Sequence, residues 1–103
     1  MSAVTVEDRG PISIIRINRP ERLNAINQAV AVEMQQAFLG FDADPAKRVA
    51  ILSSAGDRAF SSGADISDLP ELWRAIPNVG FKTDKPIIAA TTGWVVGGGV
   101  VMV

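Results

Sequence analysis

Polar and apolar positions fall into blocks along this chain. Val4 to Glu7 and Ile12 to Ile17 are runs rich in β-branched residues, parted by Arg9-Gly10-Pro11, and they predict an opening β-hairpin or two adjacent strands. Asn18-Arg19-Pro20-Glu21-Arg22 is a polar loop in which Pro20 stops the strand. Either Asn24 or Asn27 is placed to cap a following helix by accepting from its free N–H groups. In that helix Val30, Met34, Ala37, Phe38 and Phe41 recur at helical spacing, with Gln28, Glu33, Gln35 and Gln36 among the polar positions, so one stripe is expected to face a sheet. Asp42-Ala43-Asp44-Pro45 ends it.

Val49 to Leu52 is a short run apolar on both faces, the pattern of a strand covered on both sides. A turn follows from Ala55 to Asp65. Ile66 to Ile76 places Leu69, Leu72, Trp73 and Ile76 at helical spacing among acidic residues, which predicts a surface helix with a fresh start at Pro70. Lys85-Pro86 leads into Ile87 to Thr91, a second buried strand by the same argument, and then into the glycine turn Gly93 to Gly99. No repeat, low-complexity tract or linker interrupts this order, so residues 1–103 read as one continuous α/β unit, β-β-α-β-α-β-turn.

Composition narrows the chemistry. The chain is 48% hydrophobic, enough for a real core in 103 residues. Its 10 basic and 11 acidic residues are spread along the sequence for a net charge of −1, which leaves no electrostatic footprint for nucleic acid or an anionic membrane. With no cysteine and no histidine, disulfides, the usual zinc sites, Cys nucleophiles and His-dependent triads are excluded. Carboxylates, hydroxyls, cations and the backbone remain. Glu7 and Asp8 stand near the N-terminus with no apolar signal region, so cytoplasmic residence is the expectation.

Two turns invite a chemical reading. The Asp57 to Asp65 loop is open to three: plain turn chemistry, a serine nucleophile at Ser61 or Ser62, or an oxyanion donor at the N–H of Ser62 or a neighbour. The nucleophile lacks both the flanking pattern of a nucleophile elbow and a histidine base. Gly93 to Gly99 lacks the Gly-Lys-Ser/Thr end of a phosphate loop and the spacing of the dinucleotide fingerprint. Pro86 to Val103 carries no charge and contains Gly93-x-x-x-Gly97, but it is marginal in length for a membrane span. Three successive glycines before an apolar segment suit close backbone approach to a ligand better.

Four motifs in order are Ile17-Asn18-Arg19-Pro20-Glu21-Arg22-Leu23-Asn24-Ala25, Arg58-Ala59-Phe60-Ser61-Ser62-Gly63-Ala64-Asp65-Ile66, Lys85-Pro86-Ile87-Ile88-Ala89-Ala90 and Gly93-Trp94-Val95-Val96-Gly97-Gly98-Gly99. Together they resemble the enoyl-CoA hydratase/isomerase family, the crotonases, across nearly the whole chain. The resemblance implies the N-terminal, truncated portion of a crotonase-like ββα spiral, acting on an acyl-CoA thioester and assembling as a homo-oligomer, a trimer or a dimer of trimers. It implies no cofactor apart from the coenzyme A of the substrate, no metal, and no nucleic-acid or membrane partner.

Carried over residue by residue, the resemblance puts the two oxyanion donors on the N–H groups of Ser62 and Gly98. It puts the CoA path along Ser62-Gly63-Ala64-Asp65-Ile66, with Leu23 and Ala25 beside it and Arg22 near the CoA phosphates. In hydratases of the family a first catalytic glutamate follows the glycine triplet by two positions, where this chain has Val101. The second glutamate falls beyond the last residue. The resemblance therefore leaves open an acyl-CoA lyase or isomerase and a non-catalytic acyl-CoA- or partner-binding fragment. Family domains run well beyond this length, so truncation, or coverage of the apolar end by another chain, is the expectation.

Overall fold

The opening hairpin forms as its pattern predicts. β1 (Val4–Arg9) runs antiparallel to β2 (Ile12–Ile17), with Val4 opposite Ile17 and Arg9 opposite Ile12. This is a computed structural model that describes residues 2–97 and Gly99. The chain then crosses through α1 (Gln28–Ala43) to β3 (Val49–Ser54), which lies parallel to β2, as a helical crossover permits. Asn27, not Asn24, is the N-cap: its side chain accepts from the Val30 N–H at 2.9 Å. At the other end the Lys85 ammonium donates to the carbonyls of Phe41 and Asp44, both at 2.8 Å, where it meets the negative end of the helix dipole.

The helical stripe is core. Val30, Met34, Phe38 and Phe41 are buried with Ala31, and they pack on Ile15 and Ile17 of β2 and Leu52 of β3. Phe38 stacks on Phe81 with ring centroids 4.4 Å apart and meets Phe41 edge-on. The polar positions of α1 are not all solvated: Glu33 accepts the Val4 N–H, and Gln35 donates to the Gly80 carbonyl.

β4 (Ala59–Ser61), β5 (Ile87–Ala89) and β6 (Trp94–Val95) complete the strands among the described residues. β5 joins the first sheet in the order β1-β2-β3-β5, while β4 and β6 pair in parallel as a separate ribbon. β5 is shorter than Ile87 to Thr91 and not buried. Ile88 is 57% exposed because its face of the strand is uncovered, while Ile87 on the other face packs part-buried against the core. β3 too has one well-buried face, Ala50 and Leu52.

The surface helix expected over Ile66 to Ile76 does not form. Asp65 accepts the Ser67 N–H in a tight turn, Pro70 withholds a donor, and only Leu72–Ala75 winds into a 3-10 turn. Side chains of α1 hold this segment down. Gln28 accepts the Glu71 N–H at 2.7 Å and donates to the Glu71 carboxylate at 2.6 Å, while Arg74 bridges Glu71 and Gln35. Residues 86–97, with the run considered as a membrane segment, form strands and turns; among the described residues no helix is long and apolar enough to cross a membrane.

Candidate functional site

Three loops converge at the end of the β4–β6 ribbon. The first begins with the 3-10 turn Pro20–Arg22 and continues through Leu23 and Asn24, both in left-handed conformation at φ 51° and 54°. For a leucine that conformation costs on the order of 1–2 kcal/mol, so surrounding bonds must hold it. Asn24 supplies them. It is buried; its side-chain oxygen accepts the Arg19 N–H at 2.9 Å, and its amide nitrogen donates to the carbonyls of Ala55 and Ala59 at 2.9 and 2.8 Å.

The second loop, Ser61 to Asp65, lies against the first. The Ser61 hydroxyl is fully buried, donates to the Asn24 carbonyl at 2.9 Å and accepts the Gly63 N–H at 3.1 Å. The Ser62 N–H donates to the Leu23 carbonyl at 3.0 Å, and the Asp65 N–H to the Ile26 carbonyl at 2.8 Å. Ile26 in return donates to the Gly63 carbonyl at 2.8 Å. Every amide from Ser62 to Asp65 therefore has an acceptor except that of Ala64, which meets none among the described residues and sits at an exposed position.

The third loop is the glycine turn. β6 sets it beside β4, and the Val96 N–H donates to the Ser61 carbonyl at 3.1 Å. A Cβ on Gly99 would stand 2.8 Å from that of Ser61, so only glycine permits this approach. A Cβ on Gly97 would lie 3.7 Å from the Gly63 Cα, which puts the two turns in direct neighbourhood. Gly98 and Val101 lie outside the described residues.

Leu23, Ala25 and the Ser62–Asp65 stretch are thus brought together, and the Ser62 N–H is bonded to the Leu23 carbonyl, an acceptor in the first loop that no sequence pattern announces. Ser61 is not arranged as a nucleophile: its hydroxyl is sealed in the bonds above. Leu23 and Ala25 are half-buried next to the Ser62–Asp65 stretch, Arg22 is exposed on its turn, and Ile66 is 90% exposed. A cleft of about 80 Å³ between Pro20, Leu23 and Ala55–Ala59 is too small for a nucleotide-sized ligand.

Charge is concentrated on one pair. The Arg19 guanidinium donates to the Asp65 carboxylate at 3.2 Å and to the Ala25 carbonyl at 2.8 Å, with both side chains largely shielded from water. Ser67 donates to the other Asp65 oxygen through its N–H and hydroxyl. These Ser67 bonds first, and Arg19 next, hold the Asp65 carboxyl below the usual carboxylate range. Bonds from Gln28 and then Arg74 likewise lower that of Glu71. Both carboxylates are engaged in structure. Among the described residues no group of three His, Cys, Asp or Glu side chains is arranged to hold a metal ion.

Known proteins are similar to this chain in sequence and fold. The enoyl-CoA hydratase/isomerase family model matches residues 7–103. A short-chain-enoyl-CoA hydratase of Clostridium acetobutylicum is 33% identical over 96% of the chain, and a carnitinyl-CoA dehydratase of Citrobacter koseri is 38% identical over 87%. The crystal structure of an enoyl-CoA hydratase from Mycobacterium tuberculosis H37Rv superposes on 99% of the chain with a TM-score of 0.87 at 34% identity. The chain spans about two-fifths of the length of these relatives: 42%, 38% and 42% respectively. It has the crotonase α/β fold over that portion and belongs to the enoyl-CoA hydratase/isomerase family.

Proposed function

We propose that this chain binds acyl-CoA thioesters and stabilises the enolate form of the acyl group through backbone N–H donors. The observation that carries the reading is the Ala64 amide, which meets no acceptor among the described residues while those of Ser62, Gly63 and Asp65 are bonded. A peptide is planar and trans, so the bond from Ile26 to the Gly63 carbonyl aims the Ala64 N–H of the same peptide the opposite way, out of the loop. An N–H with its direction fixed in advance stabilises negative charge on a carbonyl oxygen without reorganising, and removing one such donor typically costs about 10² to 10³ in rate. In this reading Ala64 takes the role that the motif alone gave to Ser62. The Gly98 N–H is the second donor by family resemblance, on the turn adjoining Gly63.

The CoA portion is proposed to run along Leu23, Ala25 and the Ser62–Ile66 stretch by backbone contacts, with Arg22 toward the phosphates. Moving a proton at the acyl carbons requires a base or acid, and that step is where this chain is poorest. Val101 offers no carboxylate, while Asp65 and Glu71 are bound up with Arg19 and Gln28. A binding module that polarises the thioester without turnover is the second reading, favoured by Val101. Hydratase or isomerase activity, and assembly as a trimer or hexamer, are proposals for the full family arrangement.

The test replaces single backbone amides by esters, which deletes one N–H and leaves the side chain. An ester at position 64 is expected to weaken binding of acetoacetyl-CoA, whose β-keto thioester enolises readily, by about tenfold or more while free CoA binds as before. An ester at position 62 instead lowers stability and leaves thioester affinity unchanged. Equal losses at both positions, or none at 64, would overturn the Ala64 assignment. Loss of the conjugated absorbance of crotonyl-CoA decides between a hydratase and a binding module.

A further inference from the structure

We propose that Arg19 and Asp65 act together as positioning residues that keep the Ala64 N–H aimed at the thioester oxygen; the inference rests on the Ala64 reading above. The aim of that N–H depends on one isolated bridge, in which Ile26 donates to the Gly63 carbonyl and accepts the Asp65 N–H. Two hydrogen bonds outside any sheet make a weak hinge against thermal opening. Arg19 closes the hinge from the side. A single guanidinium nitrogen, Nη1, reaches the Ala25 carbonyl, immediately before Ile26, and the Asp65 carboxylate, immediately after Ala64.

The clamp is itself anchored at both ends. Arg19 is fixed by its N–H on the Asn24 side chain and by its carbonyl, which accepts from Arg22 and Asn24. Asp65 is fixed by Ser67 on its second oxygen. With only 15% and 11% of the two side chains exposed, their attraction is screened less than that of a surface pair. The planar guanidinium holds carbonyl and carboxylate at one spacing. A lysine ammonium, a point charge on a flexible stem, lacks that rigidity. The spacing it sets is between the Leu23–Ala25 strip and the Ser62–Ile66 strip, the two sides of the proposed CoA path.

Infrared difference spectra of butyryl-CoA carrying ¹³C at the thioester carbonyl, bound to the full 103-residue chain, read the aim directly, since a hydrogen bond lowers the carbonyl stretching frequency. The wild-type chain is expected to shift the band down on binding. Asp65→Asn and Arg19→Met are expected to lose most of that shift and about tenfold in acetoacetyl-CoA affinity, a loss several times larger than that in free CoA affinity. Arg19→Lys, which retains a cation and is the milder change should Asp65→Asn not fold, is expected to fall between.

A wild-type shift that survives in D65N, R19M and R19K overturns the clamp and leaves the Ala64 reading standing. Losses of shift that merely track losses of free CoA affinity and of Tm overturn it too, because a purely structural pair would behave so. Absence of thioester binding or of any shift in the wild-type chain overturns the Ala64 reading, and the clamp with it.

Discussion

Residues 4–54 and residues 57–99 follow different rules. The first region is a hairpin, a helix and a parallel strand whose apolar residues mostly point inward: Ile15, Ile17, Val30, Met34 and Phe38 are all at most 1% exposed, with Val6 and Leu39 the exposed exceptions among the large ones. The second carries Ile66, Leu69, Trp73, Val79, Ile88, Trp94 and Val96 as exposed large hydrophobics, and beyond Phe60 only Ala75 and Phe81 join the core. It is joined to the first region by the β3–β5 pairing, by backbone bonds such as that of the Ser62 N–H to the Leu23 carbonyl, and by side chains: Phe81 on Phe38, Gln28 and Gln35 on residues 71–80, Asn24 on Ala59. The lesson is that the candidate site sits where the two meet. The amides of the second region are fixed by carbonyls of the first.

The sharpest way to break the contrast is Phe38→Ala, which removes the ring that stacks on Phe81 and fills the core above β2. A loss of about 3–5 kcal/mol is expected in urea titration, with both regions destabilised together. Both tryptophans lie in the second region, so their fluorescence reports it while far-UV circular dichroism weights the first. Coincident transitions in the two signals are expected for the wild-type chain.

Asn24→Ala separates the regions more selectively. It strands the carbonyl of Ala55 and the Arg19 N–H and leaves the Ala59 carbonyl only the longer bond from the Ser54 hydroxyl, at a cost of about 2–3 kcal/mol, and tryptophan fluorescence is expected to change ahead of circular dichroism. A coincident loss would show that Asn24 supports both regions alike.

Acid acts on two contacts between the regions, Glu71 with Gln28 and Asp65 with Arg19, and the second bears on the site. Because Ser67 and Arg19 depress the Asp65 pKa in the folded chain, the stabilisation this carboxylate contributes is complete above its unfolded pKa and is lost as pH falls through the lower folded value. Arg19 is the charged group facing it. Faster exchange of the Ile26 amide in that acid window, absent in D65N, is the expected result. The smallest effect on stability belongs to Ile66→Ser. At 90% exposure it is expected to change stability by no more than about 0.5 kcal/mol while weakening acyl-CoA binding, as titration calorimetry would read.

The stripe Val30, Met34, Phe38, Phe41 and the hairpin around Gly10-Pro11 were legible because neighbours in sequence are neighbours in space, and local periodicity reports burial there. The same rule misread Ile66 to Ile76. Its apolar positions have helical spacing but no face to bury, and the Asp65–Ser67 turn and Pro70 prevail over periodicity. β4 and β6, three and two residues long, carry too little pattern to be seen and exist because they pair with each other.

The sequence by itself determined the family, the βαβ core and the stretch proposed to hold an oxyanion donor, because motifs and periodicity are properties of order along the chain. Which amides from Ser62 to Asp65 are bonded among the described residues was decided only by tertiary structure. The acceptors that occupy Ser62 and Asp65 are carbonyls of Leu23 and Ile26, and the cation beside Asp65 comes from Arg19, 46 positions away. A hydrogen bond is settled by distance and direction between groups, and for residues that far apart both come into being only when the chain has folded.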